Sequence, residues 1–128
     1  MESQRLPYNT DSVKDKKNFY ICLIEINAGF SRFKRKIPPT KITHIDDSTY
    51  QPYLVDEKGK KIMYDSKIYY FDSYEECATY FNFLIDEVAE KFRVKVDKMK
   101  KKYEDMLKLK VNVRELKLKR VLKDSDPI

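Results

Sequence analysis

Ser73-Tyr74-Glu75-Glu76-Cys77-Ala78-Thr79-Tyr80-Phe81-Asn82-Phe83-Leu84-Ile85 is the stretch on which the fold turns. Ser73 and Glu76 stand in capping-box register: the Ser73 hydroxyl can accept from the Glu76 amide while the Glu76 carboxylate reaches back to the Ser73 amide. A helix therefore starts here. Tyr74, Ala78, Phe81, Ile85, Val88 and Phe92 follow at helical spacing, Met99, Tyr103 and Met106 prolong the stripe, and neither Gly nor Pro occurs between Gly59 and Pro127.

The apolar arc is wide at first, because Cys77, Tyr80, Phe83 and Leu84 add to it, and after Phe92 it narrows to one side chain per turn. The first half is expected to pack on a sheet and the second half to leave it. A helix from Ser73 to about Leu107 would be about 50 Å long, longer than a small sheet is wide, so it is expected to project as an arm or to pair with a second helix. Beyond it two periods compete. Leu107, Leu109, Val111 and Val113 alternate with Lys108, Lys110, Asn112 and Arg114 as a strand would, while Met106, Leu109, Val113 and Leu116 continue the helical stripe. No stop signal intervenes, and helix is the preferred reading of 107–123.

Upstream the signals are those of strands. Phe19-Tyr20-Ile21-Cys22-Leu23-Ile24-Glu25-Ile26 is nearly continuously apolar and reads as a central strand buried on both faces. Asn27-Ala28-Gly29 offers a turn, and Phe30 to Ile37 a returning strand that Pro38-Pro39 should break before Thr40 to Ile45 resumes in extended form. Pro52 demotes Tyr50 to Val55 to an edge strand or loop, and Asp56 to Lys60 reads as a hairpin turn with Gly59 in the left-handed position. Lys61 to Tyr64 and Lys67 to Phe71 are two further short strands. Residues 1–17 show no period and read as a flexible polar arm; 18–123 form a single domain with a basic helical extension from about 91, and 124–128 a tail. The expected fold is α+β: a small antiparallel sheet of four to six strands against one long C-terminal helix whose second half projects.

Charge is distributed unevenly over the 128 residues. Residues 91–128 carry fourteen Lys or Arg against six acids, whereas residues 1–90 carry thirteen against fifteen, so the net +6 belongs to the C-terminal region. Such a local charge steers partners and does not shape the fold. A mean hydropathy of −0.71 with 38% charged residues points to a soluble protein, and a chain this long can bury about two-thirds of its unfolded surface around one core. No apolar leader follows Met1 and no apolar run spans a bilayer, so neither a signal peptide nor a membrane partner is expected. Cys22 and Cys77 lie in apolar settings and read as reduced thiols of a cytoplasmic protein, with one disulfide tying strand to helix as the alternative.

Catalytic vocabulary is sparse. Two glycines cannot build a glycine-rich phosphate loop, and one histidine cannot build the usual zinc sites. No cofactor or metal is expected. His44, Asp46 and Asp47 would suit a small hydrolase if further groups joined them, but a strand end followed by an Asp-rich turn accounts for the same residues. Asp86, Glu87 and Glu90 read as a solvated face within reach of Lys91 or Arg93.

Two basic sets remain. Arg32, Lys34, Arg35 and Lys36 interleave with Phe33, the chemistry of a surface that holds phosphates and stacks a base, or of an edge strand protected by charge. Lys91, Arg93, Lys95, Lys98, Lys100, Lys101, Lys102, Lys108 and Lys110 surround the helix and would attract any polyanion. The leading expectation is a non-enzymatic binding protein, in the style of a small accessory or phage-type regulator or inhibitor, docking its basic arm on nucleic acid or on a nucleoprotein enzyme. The alternative is a protein-only module or inhibitor in which Phe92, Val96, Met99, Tyr103 and Met106 enter a partner's groove or form a coiled coil with a second copy.

Overall fold

The structure, a computed structural model, describes residues 4–27 and 32–111. Five strands precede one helix: β1 (Phe19–Ile26), β2 (Phe33–Asp46), β3 (Tyr53–Asp56), β4 (Lys61–Met63), β5 (Tyr69–Phe71) and α1 (Tyr74–Lys108). The strands form one antiparallel sheet in the order β4-β3-β2-β1-β5, packed against α1, and the fold is α+β. The chain divides into two units, one ending at Phe92 and the other beginning at Arg93.

In the first unit, β1 shows why its apolarity is continuous. Side chains alternate across a strand, so Phe19, Ile21 and Leu23 enter one core layer with Ile42, Leu54 and Ile68, while Cys22 meets Phe71, Cys77 and Tyr80 on the other face. The second layer is where α1 covers the sheet, with Tyr20, Tyr69, Phe81 and Leu84 packed around it. The Ser73 hydroxyl accepts from the Glu76 amide at 3.1 Å, as the capping register requires, and α1 begins at the next residue.

The expected interruption at Pro38-Pro39 does not occur, and β2 runs through both prolines. Its register on β1 steps from Ile21↔Thr40 to Leu23↔Ile37, so Pro38 and Pro39 together face Cys22 in a bulge. On the other side β3 pairs only with Ile42 to Asp46, so neither ladder needs an amide from the prolines. The proposed start at Phe30, with Ala28 and Gly29 of the turn, lies outside the described residues. β3 starts immediately after Pro52 and is an interior strand between β2 and β4, not an edge or a loop. Gly59 has φ +80°, and the Asp56 carboxylate accepts from the Lys58 and Lys60 amides to close that turn.

Residues 4–17 correct the expectation of a flexible arm. Leu6 is 2% and Val13 6% exposed, both within the core layer of Phe19 and Ile21. The Leu6 amide donates to the Ile68 carbonyl at 2.8 Å and the Tyr70 amide to the Gln4 carbonyl at 2.9 Å, which covers the outer edge of β5. The Tyr64 hydroxyl donates to the Pro7 carbonyl at 2.6 Å; burial, then the neighbouring Tyr70, pushes its pKa up to about 12. Isolated apolar side chains bind here through partners about sixty residues away, which no local period reveals.

The second unit is described from Arg93 to Val111. Its helical part ends at Lys108, where Leu109 and Lys110 donate to the Met106 and Leu107 carbonyls in a tightened last turn. The expected continuation of the helix does not reach 109–111. The remainder of that expectation, 112–123, and the tail lie outside the described residues.

Candidate interaction surfaces

The basic residues of β2 fall on opposite faces because Glu25 pairs with Arg35 and Ile24 with Lys36. Arg35 lies on the face of Leu23 and Ile37. Its Nη2 donates to Asp65 Oδ2 at 2.8 Å and its Nε stands 3.4 Å from Glu25 Oε1, an ion-pair contact without a hydrogen bond, while Lys67 reaches the same Glu25 at 3.1 Å. The Lys67 hydrogen bond, with Arg35 and Lys34 adding to it, holds Glu25 below the usual carboxylate range. At Asp65 burial pushes upward, but the Lys67 amide and Arg35 outweigh it and the net shift is downward. Arg35 thus serves the scaffold. Arg32, Lys34 and Lys36 are exposed, and Lys36 Nζ lies 5.4 Å over the exposed Phe33 ring.

His44, Asp46 and Asp47 come close in sequence, and the polar atoms of Asp46 serve the turn. His44 is exposed, its Nδ1 2.9 Å from the Thr43 hydroxyl. Asp46 Oδ1 accepts from the Ser48 hydroxyl at 2.6 Å and the Ser48 amide at 3.0 Å, and Lys61 lies 3.3 Å from Oδ2. These contacts pull Asp46 down to about 2, so it is a carboxylate that holds its charge and not a proton shuttle near neutrality. Among the described residues no group of three His, Cys, Asp or Glu side chains is placed to hold a metal ion.

Two grooves of the first unit were not signalled by the sequence. One, of about 640 Å³, is bordered by Tyr8, Asn9, Tyr50, Pro52, Tyr64 and Asp65, with Tyr8 93% exposed. The other, of about 330 Å³, lies between β1 and α1, lined by Ile24, Ile26, Leu84 and Val88 with Arg5, Glu87 and Lys91 at its rim. Both draw residues from segments remote in sequence. Asp86, Glu87 and Glu90 are exposed on α1, as a solvated face requires, and Phe92 is half-buried.

In the second unit many large apolar side chains are exposed, Val94, Leu107, Leu109 and Val111 among them. Val96 and Met99 are each 59% exposed, Tyr103 63% and Met106 69%, a row along one side of α1. Such exposure of four large apolar side chains in one row goes beyond the singly scattered apolar residues of an ordinary surface. Lys98, Lys100, Lys101, Lys102, Lys108 and Lys110 are exposed around them, and Lys95 is half-buried. Arg93 pairs with Asp97 at 2.7 Å one turn on, and Lys108 lies 3.8 Å from Asp105. The helix set from Arg93 onward and the β2 set belong to different units. No helix of the described residues is long and apolar enough to cross a membrane. No protein-family model, no curated protein and no solved structure matches the chain.

Proposed function

We propose that the chain is a non-enzymatic binding protein of the cytoplasm that acts through residues 93–108 of α1 on the surface of another protein. The observation that carries this is the exposed row Val96, Met99, Tyr103 and Met106 in the middle of the most basic part of the molecule. Lysines alone would keep the helix soluble. An apolar row left in water costs free energy in proportion to its area, and a partner's apolar groove removes that cost. Two buried thiols without a disulfide suit a reducing compartment.

A second reading keeps the basic surface for nucleic acid or a nucleoprotein enzyme. What favours it is the count over 93–111, eight basic side chains against three acidic. Lysine contacts to phosphate would add affinity that falls steeply with salt.

Photo-crosslinking separates the two. A benzoylphenylalanine placed at Met99 or Tyr103 in the full chain, in the source cell, is expected to give protein adducts that survive nuclease. Adducts abolished by nuclease and by moderate salt would move the assignment to nucleic acid. Charge reversal at Lys98, Lys100, Lys101 and Lys102 should then matter more than Ala at Met99, Tyr103 and Met106; under the protein reading the order is reversed.

A further inference from the structure

Of the exposed apolar side chains of the second unit, four within α1, Val96, Met99, Tyr103 and Met106, are spaced three, four and three apart. On α1 that is the spacing of the two seam positions of a heptad, repeated twice. The positions that border such a seam are those immediately before Val96 and Tyr103 and those immediately after the residues one turn below and above. They hold Lys95 and Lys102 on one border, Arg93 and Lys100 on the other, where Leu107 follows Met106. The four charged ones are all basic. The acids of the segment, Asp97, Glu104 and Asp105, occupy positions away from the seam.

This sorting decides what can lie on the seam. A second copy of the helix, parallel or antiparallel, would set Lys95, Lys102, Arg93 and Lys100 against the same residues of its mate, and like charges facing across a seam oppose pairing. A nucleic acid would use the lysines and leave Met99 and Met106 unaccounted for. An amphipathic helix with carboxylates bordering its own apolar row satisfies both features at once.

We propose that residues 93–108 dock an acidic amphipathic helix of another protein, its apolar row on Val96, Met99, Tyr103 and Met106 and its bordering Glu or Asp side chains opposite Lys95, Lys102, Arg93 and Lys100. This rests on the protein-partner reading of the same surface and adds the chemistry of the partner. The Arg93–Asp97 pair is compatible with it, because a guanidinium has donors for two carboxylates. Two heptads make a short interface, so the association is reversible and governed by salt.

The probes are three synthetic 21-residue helices with Leu and Ile on the seam and Glu, Ala or Lys at the bordering positions, and a fourth with the Glu border but Ser on the seam. Each is titrated against the full-length protein by fluorescence anisotropy at low and at high salt. The Glu-bordered helix is expected to bind about tenfold more tightly than the Ala-bordered one at low salt, a margin that four favourable pairs supply and that shrinks as salt rises. The Lys-bordered and the Ser-seam helices are expected not to bind. Lys95→Gln with Lys100→Gln and Lys102→Gln should erase the tenfold margin, and Met99→Ser with Tyr103→Ser should abolish binding while the circular dichroism stays unchanged. Sedimentation of the protein alone is expected to give a monomer. Equal binding of the Glu- and Ala-bordered helices overturns the selection for acid but leaves the protein-partner reading standing. Binding by the Ser-seam helix, or a dimer lost on Met99→Ser, overturns the proposal outright. Binding by none of the four overturns it too, and the crosslinking at Met99 then decides the broader reading by itself.

Discussion

Arg35 donates from Nη2 to Asp65 Oδ2 at 2.8 Å, with Glu25 Oε1 3.4 Å from its Nε, and the three side chains close the end of the core layer that begins at Phe19. Their side chains are between 19% and 31% exposed, between a surface pair and a buried one. Arg35→Ala is therefore expected to cost about 1–2 kcal/mol, discounted from the buried limit for solvent screening. Urea denaturation of this variant beside Lys34→Ala, expected within about 0.5 kcal/mol of wild type, checks the difference. Equal effects at the two positions would mean that the ion-pair cluster does not hold the core end.

The same cluster sets a pH dependence. Glu25 and Asp65 are held below their ordinary values of 4.5 and 3.8, and Asp46 at about 2. A depressed carboxyl binds its proton less readily folded than unfolded, so the stability it contributes is complete above the ordinary value and is lost as pH falls through the folded one. Thermal midpoints are expected to be flat above about pH 5 and to fall from there toward pH 2. Lys67→Met, which removes the main contact holding Glu25 down, should make the fall shallower. A midpoint that does not move between pH 5 and pH 2 would show that these carboxylates are not coupled to folding.

Leu6 belongs to the core, and its removal should be felt as a core mutation. Leu6→Ala is expected to destabilise by about 2–4 kcal/mol, and deletion of residues 1–8 by at least as much, since the deletion also uncovers the edge of β5. Chemical denaturation decides it. A change under about 0.5 kcal/mol, the ordinary effect of a surface substitution, would return the segment to the status of an arm.

What the sequence discloses, and what it hides, follows from how far apart the interacting residues are. β1, the Gly59 turn, the Ser73 cap and the apolar row of α1 rest on spacings of one to four residues, and all of them are legible in the sequence. The seating of Leu6 on Ile68 and the Arg35–Asp65 bond reach across about thirty to sixty positions, and they leave no period. Pro38-Pro39 misleads for a related reason. Proline breaks a strand only where a ladder needs its amide, and whether β3 reaches that far along β2 is a matter of pairing and not of composition. Among the candidate surfaces, the row from Val96 to Met106 is readable from spacing alone, whereas the grooves beside Tyr8 and Ile24 assemble from remote segments and are not.

Asn18 stands at φ 57°, just before β1, with its amide donating to the Thr43 carbonyl at 3.1 Å. Asparagine tolerates the left-handed region, whereas a β-branched side chain there meets its own backbone. Asn18→Gly is expected to be neutral within about 0.5 kcal/mol, and Asn18→Val to cost about 1–2 kcal/mol. Denaturation midpoints of the pair separate conformational strain from loss of the side chain, because both variants remove the amide group and only one adds strain.

Cys22 and Cys77 are both fully buried, and the Cys22 thiol faces the Cys77 carbonyl at 3.9 Å across the layer where α1 meets the sheet. The neighbouring Cys22 thiol and burial raise the pKa of Cys77, so its nucleophilic thiolate is scarce at neutral pH. Neither thiol should react with Ellman's reagent while the first turns of α1 stay seated on β1, and both should react at the rate of opening once urea is added. Cys77→Ala, which leaves a small void beside Tyr80, is expected to speed the reaction of Cys22 by loosening that contact. If one thiol reacts at once in the native protein, α1 lifts from the sheet without global unfolding.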